Sequence, residues 1–116
     1  MAKVNSRSKG KRGELEFRDA LREFGIYARR GQQFAGNVGG LSPDVVHSLP
    51  GIHFEVKRTE RLDLVGAMAQ AKADAGFKVP VVVSKRNGGE WLATVPVEIL
   101  LGWLVDLFPE SDFSDL

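Results

Sequence analysis

Three residues stand out for the chemistry their types and spacing allow. Asp44 follows Pro43, and Glu55 and Lys57 stand two apart in the segment 52–57. A clustered Asp and Glu make a hard oxygen site suited to Mg2+, with Mn2+ able to substitute. A lysine two residues after the glutamate on a strand points into the same space. There it could orient a water or neutralise charge on a phosphate in the transition state. Cation-assisted hydrolysis of a phosphodiester requires such a set. Each residue alone has a plainer account. Glu-x-Lys on a strand face is often an exposed ion pair worth little, and Asp after Pro is often a turn residue. The combination says more than its parts, because Glu55 and Lys57 sit inside a patterned strand and a helix carrying acids precedes them.

The elements that must position these residues are legible in outline. A polar, basic stretch over 1–9 reads as a flexible arm. Phe17, Ala20, Leu21 and Phe24 recur at helical spacing and predict a helix over 10–25, stopped by Gly25. Residues 26–33 suit a first strand, and 34–42, with three glycines and an Asn, suit a loop. Pro43 opens a short strand. Leu49-Pro50-Gly51 signals a tight turn, so the strands on either side should form a hairpin. In the next strand Ile52, Phe54 and Val56 should face one way and His53, Glu55 and Lys57 the other. Asp44 would then reach Glu55 and Lys57 only in the right register, since a one-residue slip reverses the faces. A second helix over 62–76, strands over 79–84 and 91–94 joined by Asn87-Gly88-Gly89, and a third helix over 96–108 complete the pattern. The order α-β-β-β-α-β-β-α predicts an α/β fold with a mixed sheet flanked by helices. Residues 10–108 would form one domain, with an acidic tail over 109–116.

Composition narrows the function classes. The chain has 116 residues, enough for one domain with a core of its own. It has no cysteine, which excludes disulfides, thiolate zinc sites and a cysteine nucleophile. Two histidines supply a Ser-His-Asp relay poorly. No apolar run is long enough for a membrane span, and no signal peptide is visible, so a cytoplasmic location is expected, in a host cell if the chain is phage-encoded. The net charge of +1 hides a gradient, +5 through Arg61 and −4 from Leu62 onward. A basic half suggests a polyanionic partner.

At Pro43-Asp44 and Glu55-Val56-Lys57 the sequence resembles the PD-(D/E)XK nucleases, and within them the small Holliday junction resolvases of archaea and bacteriophages. Those proteins carry a basic Lys-Gly step with a glutamate four residues on, and here Lys9-Gly10 precedes Glu14. The resemblance covers roughly residues 7–95. It implies a restriction-endonuclease-like fold and a Mg2+-dependent endodeoxyribonuclease that cleaves four-way junctions in branched double-stranded DNA. Cutting a junction symmetrically needs two sites, and the third helix is apolar nearly all round, with a narrow polar side at Glu98 and Asp106, so a homodimer is expected. The resemblance also implies roles. Asp44, Glu55 and the Val56 backbone carbonyl would hold the cation, Lys57 would stand beside the attacking water, and Glu14 would complete the acidic cluster. Glu16 flanks the other edge of the apolar stripe and is the alternative to Glu14. The serine that resolvases carry three residues before the metal-binding Asp is absent: Leu41 stands there, and Ser42 one place on.

Further groups could serve DNA. Lys3, Arg7, Lys9, Lys11 and Arg12 could displace counterions from phosphates, as could Arg29, Arg30, Gln32 and Gln33 beside the glycine loop. That loop lacks a Walker lysine and is not read as a nucleotide-binding loop. Gln70 lies on the second helix, where related nucleases sometimes use a glutamine. His53 shares the face of Glu55, His47 is read as structural, and Trp91 and Trp103 as packing residues. The alternatives are another PD-(D/E)XK nuclease, flap-type or restriction-like, and a non-catalytic DNA-binding protein.

Overall fold

The computed structural model of the chain describes residues 6–31 and 44–110. The elements are α1 (Ser6–Glu23), β1 (Ala28–Arg30), β2 (Val45–His47), β3 (Ile52–Arg58), α2 (Leu64–Ala75), β4 (Val79–Lys85), β5 (Leu92–Thr94) and α3 (Val97–Leu107). The order is the α-β-β-β-α-β-β-α of the sequence pattern, and the class is α/β. The basic arm is shorter than the pattern suggests, because α1 begins at Ser6. Ser, Arg and Lys are all compatible with a helix, and an interior Gly10 costs only about 1 kcal/mol. Arg7 and Lys9 thus fall in the first turns of α1. Lys3, Gln32, Gln33, Ser42, the glycine loop and the tail beyond Glu110 lie outside the described residues.

α1 packs on the sheets through Phe17 and Leu21. It ends where expected: Gly25 has φ +77°, and the Ile26 N–H donates back to the Leu21 carbonyl at 3.1 Å. Phe24 lies past the last turn and is exposed, so Ile26 joins the core in its place. β3 and β4 run parallel, with Phe54 opposite Val81 and Glu55 opposite Val82. β5 returns antiparallel to β4.

The hairpin expected across Leu49-Pro50-Gly51 does not form. β2 pairs antiparallel with β1, Arg30 opposite Val45 and Ala28 opposite His47, so the strands make a two-stranded and a three-stranded sheet. The turn itself is present, with Gly51 at φ +73°. What differs is how the outer edge of β3 is satisfied. Side chains at the two ends of the β2 segment do it: Asp44 accepts from Val56 N–H at 3.0 Å, and His47 Nε2 bonds the Ile52 carbonyl at 3.0 Å.

The alternation of β3 follows the sequence. Ile52, Phe54 and Val56 join Phe17, Leu21, Ala28, Val45, Val81 and Val83 in the main core. Phe17 meets Phe54 and Trp91 edge-on, at 4.9 and 5.2 Å between centroids. The opposite face lies under α2. Ala67, Ala71 and Ala75 recur every fourth residue and are buried, and their small side chains let α2 lie close on Val82. α3 is different: no residue of it is buried.

Candidate functional site

β3 carries the centre of the site. Glu55 is 4% exposed, yet its carboxylate has polar neighbours on both sides. Oε2 lies 3.5 Å from Lys57 Nζ, and Oε1 lies 3.6 Å from His53 Nε2. Strand alternation sets these three on one face, and α2 covers that face. Lys57 is less covered, and with Thr59, Arg61, Asp63 and Gln70 it lines an open cleft between β3 and α2.

Asp44 approaches from the edge of β3. Its backbone is fixed by the Gly31 N–H, which donates to its carbonyl at 3.0 Å, and its Oδ2 by Val56 N–H. The N–H and C=O of one strand residue leave by the same edge. The Val56 carbonyl is therefore directed to the edge where Asp44 sits. Burial pushes the Asp44 carboxyl up to about 6; the Val56 hydrogen bond opposes this, while the charges of Glu55 and Glu14 add to it and Lys57 subtracts. Glu14, Glu55 and Lys57 thus all lie within electrostatic reach of Asp44, although the four come from three separate segments.

Glu14 reaches this place because of Gly13. A Cβ on Gly13 would stand 2.6 Å from Arg58 Cβ, so only glycine lets α1 cross β3 this closely. Glu14 is buried and ion-paired with Arg30. Glu16 turns the other way, to Arg58 at 3.2 Å and Lys85 at 3.5 Å. Gly10, four residues before Glu14, has open space around it among the described residues. Arg30, expected to contact a phosphate, holds Glu14 through its Nε and remains partly exposed. Arg29, Lys11 and Arg12 are exposed.

His47 is structural as read. Its Nδ1 accepts from Leu49 N–H at 3.1 Å, which leaves Nε2 to donate to Ile52 O, and burial lowers its pKa from 6.5.

Sequence reasoning passed over Asp74. Among the described residues, His53, Glu55 and Asp74 are a set of three metal-ligating groups whose ligand atoms lie within 4.8 Å of one another. This cluster could hold a metal ion. The available signal was the i, i+4 spacing of Gln70 and Asp74 beside the buried alanines of α2, which aims both at β3.

No helix among the described residues is long and apolar enough to cross a membrane. Comparison with models of protein families, with curated proteins and with solved structures gives no match to this chain.

Proposed function

We propose that this chain is a divalent-cation-dependent endodeoxyribonuclease of the PD-(D/E)XK type, acting on four-way DNA junctions as a homodimer. One observation carries the reading. Asp44 is hydrogen-bonded to Val56, the central residue of Glu55-Val56-Lys57, so the two halves of the motif meet at one strand edge without being hairpin partners.

The donor set fits Mg2+ or Mn2+. Asp44 keeps one oxygen free of the Val56 bond, Glu55 offers buried carboxylate oxygens, and the Val56 carbonyl faces the same edge. Glu14, held by Arg30, tightens the negative field rather than offering a free ligand. A bound cation would supply Lewis acidity towards a phosphodiester and acidify a water. The chain's own groups do the rest. Lys57, oriented by Glu55, presents an ammonium that can donate to a non-bridging phosphate oxygen or hold the attacking water. In the hydrolysis, water oxygen bonds to phosphorus, the P–O bond to the leaving sugar oxygen breaks, and that oxygen takes up a proton. Exposed Lys11, Arg12 and Arg29 suit salt-dependent phosphate contacts, with selectivity drawn from the shape of the branch.

The test is cleavage of a synthetic four-way junction, a flap and a linear duplex, with Mg2+ and with chelator. Mg2+-dependent, paired cuts in the junction are expected. Preferred cutting of the flap or duplex would select another nuclease of the same type. Tight binding without cutting in Mg2+ or Mn2+ would leave a DNA-binding protein.

A further inference from the structure

The face of β3 under α2 holds a group that the nuclease reading does not use. His53 is 7% exposed, and its Nε2 has no hydrogen-bond partner among the described residues. The nearest charged oxygen, Glu55 Oε1, is 3.6 Å away, longer than a hydrogen bond. An unsatisfied buried polar atom destabilises a fold. A ring nitrogen kept that way, and turned to a carboxylate, is a lone pair or an N–H awaiting a partner.

Asp74 makes the arrangement more pointed. It stands in the last turn of α2, next to Ala75, where the helix carbonyls already concentrate negative charge. An acid there is unfavourable, and its carboxylate is also brought within 4.8 Å of the ligand atoms of His53 and Glu55. A second carboxylate close to buried Glu55 raises the repulsion further. A cation between the three groups relieves all of this at once. It gives His53 Nε2 its partner and neutralises both acids.

We infer that His53, Glu55 and Asp74 form a binding site for a divalent transition ion of the Zn2+ type. The imidazole sets the class. Nitrogen donors favour Zn2+ and its neighbours, whereas Mg2+ prefers oxygen throughout. Tetrahedral zinc sites place ligand atoms roughly 3.4 Å apart, so the cluster must tighten by about an ångström on binding. Asp74 can move to do so, because it is exposed on the helix surface. Three protein ligands leave a fourth position open. The site is separate from the Asp44 edge but shares Glu55 with it, through the oxygen turned away from Lys57. It does not rest on the nuclease reading, since its donors lie together whatever the chain acts on.

The experiment is calorimetric titration of the full chain with Zn2+ in excess Mg2+, repeated with Co2+ to record its visible absorption. One Zn2+ per chain is expected, undisplaced by Mg2+, with a Co2+ spectrum of low coordination number. His53→Gln and Asp74→Asn should each weaken Zn2+ binding at least about tenfold. Asp74 is exposed, so its variant keeps the fold even if that of His53 does not. Asp74→Asn should also keep junction cleavage in Mg2+, which separates this site from the Asp44 edge. Equal Zn2+ affinity in parent and Asp74→Asn, or complete displacement by Mg2+, would overturn the inference. Loss of cleavage on all DNA substrates would sink the nuclease reading and leave the Zn2+ result standing.

Discussion

Asp44 is a carboxylate held where it is uncomfortable. Its folded-state pKa is about 6 against 3.8 unfolded, chiefly through burial. A raised carboxyl favours folding only while protonated. The favourable contribution is full below pH 3.8 and is lost as pH rises through about 6. At pH 8 the ionised group costs the fold up to about 3 kcal/mol. Asp44→Asn in chelator at pH 8 should therefore raise the melting midpoint by roughly 3–8 °C, while abolishing cleavage in Mg2+. The gain should vanish near pH 4. A variant that melts no higher than the parent at pH 8 would show that Asp44 is not crowded. The two helix acids make a second comparison. Glu14→Gln should slow cleavage by at least about tenfold, because Glu14 lies in the field of Asp44. Glu16→Gln should leave the rate within about twofold, because Glu16 serves Arg58 and Lys85. The reverse order in initial rates would reassign the helix acid. Sequence spacing alone left these two open, since both flank one stripe. What separates them is the close crossing at Gly13, a tertiary contact that carries no periodic signal.

At the scale of elements, the pattern fixed types and order well and partners badly. Alternation in β3 was readable because a strand with two covered faces still separates apolar from polar neighbours. The β2 pairing was not, because a turn signal says that the chain reverses and not which strand takes the ladder. Three-residue strands hold few apolar positions to declare a register. The consequences are testable. Gly13→Ala puts a methyl 2.6 Å from Arg58 Cβ, close to backbone, and should cost about 1–3 kcal/mol in chemical denaturation despite its better helix propensity. Gly10→Ala meets nothing within 4 Å among the described residues and should gain up to about 1 kcal/mol. Equal effects would mean that α1 does not cross β3 at Gly13. His47 makes the β3 edge sensitive to pH. Its pKa is lowered from 6.5, mainly by burial, so the neutral ring is the folded form. Its contribution is present above pH 6.5 and is lost as pH falls through the folded value. Between pH 7 and pH 5 the stability of the parent should fall relative to that of His47→Asn, which cannot titrate. The difference between the two isolates His47 from Asp44, whose sign is opposite. Identical pH slopes would remove His47 from this role.

On the scale of the whole molecule, α3 is the part that the single chain does not explain. Val97, Leu101, Val105 and Leu107 are each more than half exposed, and Leu100 and Leu104 are about two-fifths exposed. These residues point around most of the helix, and the polar positions within it are few, at Glu98 and Asp106. A helix lying on one sheet needs one apolar stripe. α3 has apolar residues on several sides and is fully covered on none. Beside Val79, the groove at Leu101, Trp103 and Val105 leaves that surface open. A patch of this kind usually marks an interface, and two-fold pairing of identical chains is its commonest use. The proposed reaction requires the same thing, since a junction is resolved by two cuts and one chain offers one Asp44 edge. The protein should therefore sediment and scatter light at twice 12.7 kDa at micromolar concentration. Leu104→Glu should bring the mass to 12.7 kDa, or lower the melting temperature if the monomer cannot stand alone. In a folded monomer, cuts should become single and unpaired while the chain still binds Mn2+ at the Asp44 edge. A parent that scatters as a single chain would remove the dimer and, with it, the account of paired cleavage. Removing the apolar surface by Leu101→Lys with no change in mass would show that α3 is not where the two chains meet.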